Sequence, residues 1–122
     1  MSKRILLVDD SASVRQVAGI ALRRAGYETV EAENGQLALG KLDEGKLNLI
    51  ISDVNMPVMN GIEFLKAVKQ HPTCKFTPVI MLTTEAGDDM KAQGKAAGAK
   101  AWIVKPFQPQ TLIDAVSKLV LP

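Results

Sequence analysis

Two hydrophobic rhythms alternate along this chain. Ile5-Leu6-Leu7-Val8 is an unbroken apolar run, the pattern of a strand buried on both faces. After it, Val14, Val17, Ala18, Ala21, Leu22 and Ala25 recur at helical spacing. Arg15, Arg23 and Arg24 fall off that face, and Gly26 marks the stop. Residues 27–32 alternate like an edge strand, and Asn34 is placed to cap a helix over 35–44. Residues 47–51 read as the third strand. A helix capped by Asn60 follows, carrying Ile62, Leu65 and Val68 and ended by His71-Pro72. Val79-Ile80-Met81-Leu82 predicts strand four, residues 88–97 a helix closed by Gly98, and Ala101-Trp102-Ile103-Val104 strand five. Pro109 suits a first helical position, and Leu112, Ile113, Val116, Leu119 and Val120 form the last apolar face. Five strand–helix units in a row predict an α/β fold, a five-stranded parallel sheet doubly wound with helices on both sides. No internal repeat, linker or low-complexity tract interrupts the pattern. One domain over 1–122 is expected, with no room for an attached output domain.

Composition narrows the classes of function. The 122 residues are one domain's worth. Fifteen basic and 13 acidic residues leave a net +2, far from the basic stripe of a nucleic-acid binder. Aromatic content of 4% leaves no stacking platform for single strands. No apolar run approaches the ~18 residues of a membrane span. The apolar stretch near the start is too short for a signal peptide and runs straight into Asp9-Asp10. A single cysteine, Cys74, excludes an internal disulfide. A soluble domain in the reducing cytoplasm is the expectation.

The polar residues that break the apolar pattern sit at strand carboxyl ends. Strand one ends in Asp9-Asp10, strand three in Ser52-Asp53, strand four in Thr83-Thr84-Glu85 and strand five in Lys105-Pro106. In open α/β sheets the ligand crevice lies at those ends, where the strand order reverses. If strands one and three are neighbours there, Asp9, Asp10 and Asp53 converge. Two like charges about 4 Å apart repel by roughly 4 kcal/mol at an effective dielectric near 20. Such a cluster calls for a cation, and a few oxygen ligands suit Mg2+, which keeps several waters and favours phosphate. Mg2+ together with Lys105 would balance the carboxylates. A phosphoryl group added to one aspartate would then be stabilised by the same two cations.

These residues carry a resemblance. Asp9-Asp10, Asp53 within Asp53-Val54-Asn55-Met56-Pro57-Val58-Met59-Asn60-Gly61, Thr83, and Lys105-Pro106-Phe107 resemble the signature of bacterial response-regulator receiver domains. The resemblance covers essentially the whole chain, with every motif in order on its expected strand. Asn55 and Glu85 also match the single-domain chemotaxis members of the family. The resemblance implies a flavodoxin-like sheet of order 2-1-3-4-5. It implies that Asp53 accepts a phosphoryl group from a histidine kinase, in chemotaxis a CheA-like one. It places Mg2+ on Asp9, Asp10, Asp53 and the backbone carbonyl of Asn55. Thr83 and Lys105 would contact phosphoryl oxygens, the Lys105–Pro106 peptide would be cis, and Asn55, Thr84 and Glu85 would modulate the chemistry.

The implied protein is a monomeric switch that catalyses only its own phosphorylation and dephosphorylation. Its output partner would be a flagellar motor switch or another adaptor, with no nucleic acid and no membrane involved. Thr83 and Trp102 would be the switch residues, acting on the surface of the fourth helix, fifth strand and fifth helix. Trp102 stands where the chemotaxis subgroup carries tyrosine, and Thr84 is bulkier than the small residue common there. The rival within the family is a phosphorelay shuttle or an adaptor outside chemotaxis. Two other classes fit less well. A flavodoxin-like FMN carrier would bring phosphate to a first loop that here opens on two aspartates. A phosphatase with a phosphoaspartate intermediate carries its nucleophile on strand one as Asp-x-Asp, whereas here the aspartates are adjacent. His71 reads as a solvated helix end and Cys74 as a loop or half-buried thiol. Met56, Met59, Met81 and Met90 read as core or loop, and Gly94 to Gly98 lacks phosphate-loop spacing.

Overall fold

Strand parity builds the two faces of the sheet. The computed structural model describes residues 3–84 and 88–120. Five strands, β1 (Arg4–Val8), β2 (Glu28–Ala32), β3 (Leu49–Asp53), β4 (Val79–Thr83) and β5 (Ala101–Val104), pair in parallel in the order β2-β1-β3-β4-β5. Helices α1 (Ala12–Arg24), α2 (Gly35–Lys41), α3 (Gly61–Gln70), α4 (Asp88–Ala96) and α5 (Pro109–Leu119) follow the strands in turn. Side chains alternate across a strand. Ile5, Leu7, Leu49, Ile51, Ile80 and Leu82 therefore pack with Leu22 of α1 and with Leu112 and Val116 of α5. Leu6, Val8, Ile50, Val79 and Met81 face the opposite way, onto Ala38 of α2 and Phe64, Leu65 and Val68 of α3. Every residue of β3 and β4 is buried. Each fully buried large aliphatic side chain contributes roughly 1.5–3 kcal/mol relative to exposure.

Polar residues fix where the helices begin. The Ser11 hydroxyl accepts from the backbone N–H of Val14, and the Asn34 side chain accepts from that of Leu37. Asn60 and Glu63 form a reciprocal capping box at the start of α3. Pro109 opens α5, while Gly26 and Gly98 take the left-handed conformation beyond α1 and α4.

Four local expectations shift. β3 begins at Leu49, because Asn48 is held against Arg4 by its side-chain oxygen and its backbone N–H. α2 ends at Lys41, where the chain turns toward Gly45 at φ +135°. Cys74 is fully buried, with its thiol directed at the carbonyl of Leu42. His71 is half-buried and held: its Nε2 lies 2.8 Å from Asp43, and its Nδ1 accepts from the Thr73 backbone N–H. Glu85 and the side chain of Met90 lie outside the described residues.

Gly61 joins the fold to the sheet edge. A Cβ there would collide with the backbone carbonyl of Asp53 and crowd the Cα of Val54. Only a glycine lets α3 start this close to the end of β3. Gly61→Ala is expected to cost about 1–3 kcal/mol of stability, as overpacking against backbone does. Gly40→Ala, at a helical site with open space around it, is expected to be neutral or to gain about 0.5 kcal/mol. Paired urea denaturation curves check both.

Candidate functional site

Register alone brings the polar residues together. Val8 pairs with Ser52, so Asp9 and Asp53 stand one step further along neighbouring strands. Asp53 pairs with Leu82 and Thr83 with Val104, so Thr83 and Lys105 each follow one step beyond. The order β2-β1-β3 places the chain reversal between β1 and β3, with the crevice at their carboxyl ends. Carboxylate oxygens of Asp9, Asp10 and Asp53 all lie within 4.8 Å of one another. Asp9, Asp53 and Thr83 are buried, while Asp10 is exposed.

Lys105 reaches into this cluster from β5. Its Nζ is 2.9 Å from Asp9 Oδ2 and 3.3 Å from Asp53 Oδ2. Burial works against its charge, but the hydrogen bond and charge of Asp9, joined by Asp53, prevail and raise its pKa above 10.5. Asp53 is held above the ordinary carboxyl value of 3.8, chiefly by burial and then by the negative charge of Asp9. Lys105 and the backbone N–H of Asn55, 3.4 Å from Asp53 Oδ1, pull it back only in part. One ammonium thus faces three carboxylates, and all the ligand atoms are hard oxygens. That donor set fits Mg2+.

The neighbourhood adds three features. The Lys105–Pro106 peptide is cis. Val58 adopts φ +71° at the centre of a γ-turn closed by the Met59 N–H on the Pro57 carbonyl. A β-branched residue there costs on the order of 1–3 kcal/mol, and its side chain is largely exposed to solvent. Trp102 faces α4, its ring pressed so close to Gly94 that a Cβ there would overlap it. Its Nε1–H is buried and has no hydrogen-bond partner among the described residues.

All the expected pocket residues within the described part of the chain converge: Asp9, Asp10, Asp53, Asn55, Thr83, Thr84, Lys105 and Pro106 lie at one edge of the sheet. Trp102 lies further down β5, on the α4 side. Sequence reasoning passed over Arg15, whose guanidinium bonds both the Asp9 carbonyl and Glu31. The only signal in the sequence was its place one turn into the helix that follows Asp9-Asp10. Gly94 was also missed as the complement to Trp102.

A doubly wound parallel sheet with a lysine-braced carboxylate pocket at its chain reversal is a narrow class of α/β domain. The family model for the response regulator receiver domain matches residues 5–117, and the chain belongs to that family. It is 38% identical over 117 residues to the chemotaxis protein CheY of Pseudomonas aeruginosa, covering 95% of this chain and 94% of that protein. It is 41% identical to the phosphate regulon transcriptional regulatory protein PhoB of the same organism, over 93% of this chain, but spans only 49% of PhoB. The crystallised chemotaxis protein CheY4 of Vibrio cholerae superposes with a TM-score of 0.94 at 48% identity, covering 98% and 99% of the two chains. Receiver domains of two-component systems interact with histidine kinases and downstream targets, and the family generally binds Mg2+.

The raised Asp53 pKa sets a sign for stability. Folding favours protonated Asp53, so the ionised form costs stability that grows as pH rises from 3.8 through the folded value. In metal-free buffer, Asp53→Asn is therefore expected to melt higher than the parent at neutral pH, by on the order of a few °C. The gap should shrink as pH falls toward the ordinary carboxyl range. Calorimetric scans across that interval check it.

Proposed function

We propose that Asp53 is the phosphoryl acceptor of a chemotaxis response regulator. The observation that carries this reading is the buried Asp53 carboxylate, flanked by Asp9, Asp10 and Lys105 at the chain reversal of the sheet. In the proposed step an Asp53 oxygen attacks the phosphorus of a donor phosphohistidine. An O–P bond forms, the N–P bond breaks, and the departing imidazole takes a proton. Asp9, Asp10, Asp53 and the Asn55 carbonyl would hold Mg2+, which when bound neutralises charge on the transferring group. Lys105 shifts from its carboxylate partners to a phosphoryl oxygen, keeping a charge-assisted bond throughout. Thr83, one residue along β4 from the partner of Asp53, binds another phosphoryl oxygen. Asn55 and Thr84 border this chemistry and tune its rate, and Glu85, two residues after Thr83 in the sequence, is a further candidate modulator. The protein does not turn over an external substrate; it acts on its own phosphorylation state.

An apolar cleft of about 530 Å3 beside Lys105, lined by Val14, Val17, Pro106 and Phe107, gives the kinase a surface next to Asp53. Output is read on the α4-β5-α5 face. There Lys91, Lys95 and Lys100 surround Trp102, and none of them forms an ion pair among the described residues. Similarity along nearly the whole length of chemotaxis proteins supports a CheA-like kinase and a motor-switch or adaptor partner, with the protein working as a cytoplasmic monomer. Among the described residues no helix is long and apolar enough to cross a membrane. The single chain of a phosphorelay shuttle is the competing reading, marked by onward transfer of phosphate to a second histidine protein.

Acetyl phosphate with Mg2+ is expected to label the protein, because the pocket itself supplies positioning and charge stabilisation. Asp53→Asn should lose that label by more than ~100-fold in intact-mass measurements, and persistent Mg2+-dependent labelling would refute the assignment. Lys105→Arg should still accept phosphate but signal poorly, since a guanidinium differs in shape from an ammonium. Beryllofluoride with Mg2+ is expected to shift the emission or quenching of Trp102, and Thr83→Ala to weaken that response. Unchanged fluorescence in a protein shown to bind beryllofluoride would remove Trp102 from the switch.

A further inference from the structure

The peptide that joins Asp9 to Asp10 is held by a residue outside the carboxylate cluster. Asp9 is saturated. Its N–H donates to the Ala32 carbonyl, its Oδ1 accepts from the Ser11 N–H, and its Oδ2 accepts from Lys105. Its carbonyl accepts from Nη1 of Arg15, one turn into α1. The same guanidinium binds Glu31 of β2, with Nε 3.2 Å from Oε1. Arg15 thus spans from α1 across the end of β1 to β2, with its side chain only 17% exposed. Asp10, by contrast, makes no hydrogen bond or ion pair among the described residues and is exposed.

That asymmetry matters because the Asp9 carbonyl belongs to the peptide plane that leads into Asp10. Rotating this plane swings the Asp10 Cα–Cβ direction; beyond Asp10 the backbone is held by the Ser11 N–H on Asp9 Oδ1, while the Asp10 carboxylate itself has no partner among the described residues. We propose that Arg15 is a positioning residue for the acidic pocket. By gripping the Asp9 carbonyl it fixes the Asp9–Asp10 peptide, and so aims the otherwise untethered Asp10 carboxylate at a divalent cation. Glu31 acts one step further out, fixing the plane of the guanidinium. The task needs a planar fork with two separate donors, which a lysine ammonium on a flexible stem does not reproduce. Partners of this outer kind commonly shift metal affinity by about 10–100-fold. The inference rests on the reading of Asp9, Asp10 and Asp53 as a divalent site.

The sign of the effect separates positioning from charge. A guanidinium near a cation site repels the cation, so an arginine acting by charge alone would weaken Mg2+ binding. Its removal would then tighten binding, and Arg15→Lys would leave it unchanged. Positioning demands the opposite. Calorimetric titration of Mg2+ into the full chain is expected to give ~10-fold weaker binding for Arg15→Gln and comparable weakening for Arg15→Lys. For Glu31→Gln, which leaves the Asp9 contact in place and keeps the proposal testable if Arg15 variants fold poorly, a smaller loss of about 2–3-fold is expected. Labelling of Asp53 by acetyl phosphate should fall at limiting Mg2+ and recover at saturating Mg2+ in all three variants. Unchanged or tighter Mg2+ binding in Arg15→Gln, or parental affinity in Arg15→Lys, would overturn the proposal. Absence of Mg2+ binding in the parent protein would instead overturn the divalent site, and the role of Arg15 with it.

Discussion

Three carboxylates converge at one edge of a parallel sheet, and a single ammonium from β5 faces them. Left to themselves, these aspartates would repel by several kcal/mol. Lys105 relieves part of that repulsion, and its hold on Asp9 and Asp53 ties the last strand to β1 and β3. The remaining imbalance has consequences in both directions. Burial first, and then the charge of Asp9, raise the pKa of Asp53, and the imbalance leaves the pocket with negative charge that a hard divalent cation can satisfy. A group already in charge imbalance responds strongly when a cation or phosphoryl group arrives, and that is the condition a switch needs.

The scaffold keeps this imbalance from relaxing. Strand parity buries β3 and β4 on both faces, so Asp53 cannot retreat without moving packed leucines and isoleucines. Gly61 lets α3 begin against the Asp53 carbonyl, and the Asn60–Glu63 capping box pins that start. The γ-turn at Val58 stores local strain in the loop between them. On the other side, Asp9 is anchored by hydrogen bonds to its carboxylate and its carbonyl, including the one from Arg15. The pocket is rigid where its charges conflict, and Asp10 is its least tethered member.

The same sheet edge connects the pocket to the α4 face proposed as the output surface. Thr83 ends β4 and Lys105 directly follows the adjoining β5, and the Lys105 N–H donates to the Thr83 carbonyl at 2.7 Å. Three residues earlier on β5, Trp102 wedges against Gly94 of α4 with its N–H unpaired. An indole donor buried without a partner costs about 1–3 kcal/mol, so the arrangement that gives it a partner would be favoured. On the proposed reading, movement at Thr83 reaches the lysine-rimmed α4 surface by way of this ring.

Much was legible from the sequence because the determinants are local or periodic. Apolar runs and helical spacing gave all five units, while Asn34, Asn60 and Pro109 marked helix starts and Gly26 and Gly98 marked stops. Periodicity placed Asp9, Asp53, Thr83 and Lys105 at strand ends, but their convergence depends on the strand order, which the family resemblance implied and periodicity did not. What it could not show were the contacts by which separate elements settle against one another. The grip of Arg15 on Asp9 and Glu31 depends on how α1 lies over the end of β1. The Gly94–Trp102 contact depends on how closely α4 approaches β5, and the burial of Cys74 and the tethering of His71 depend on how the loops after α2 and α3 meet. Sequence pattern specifies which face of an element is apolar. The distances at which two elements settle, and the polar atoms that meet there, are set only when all the faces pack at once.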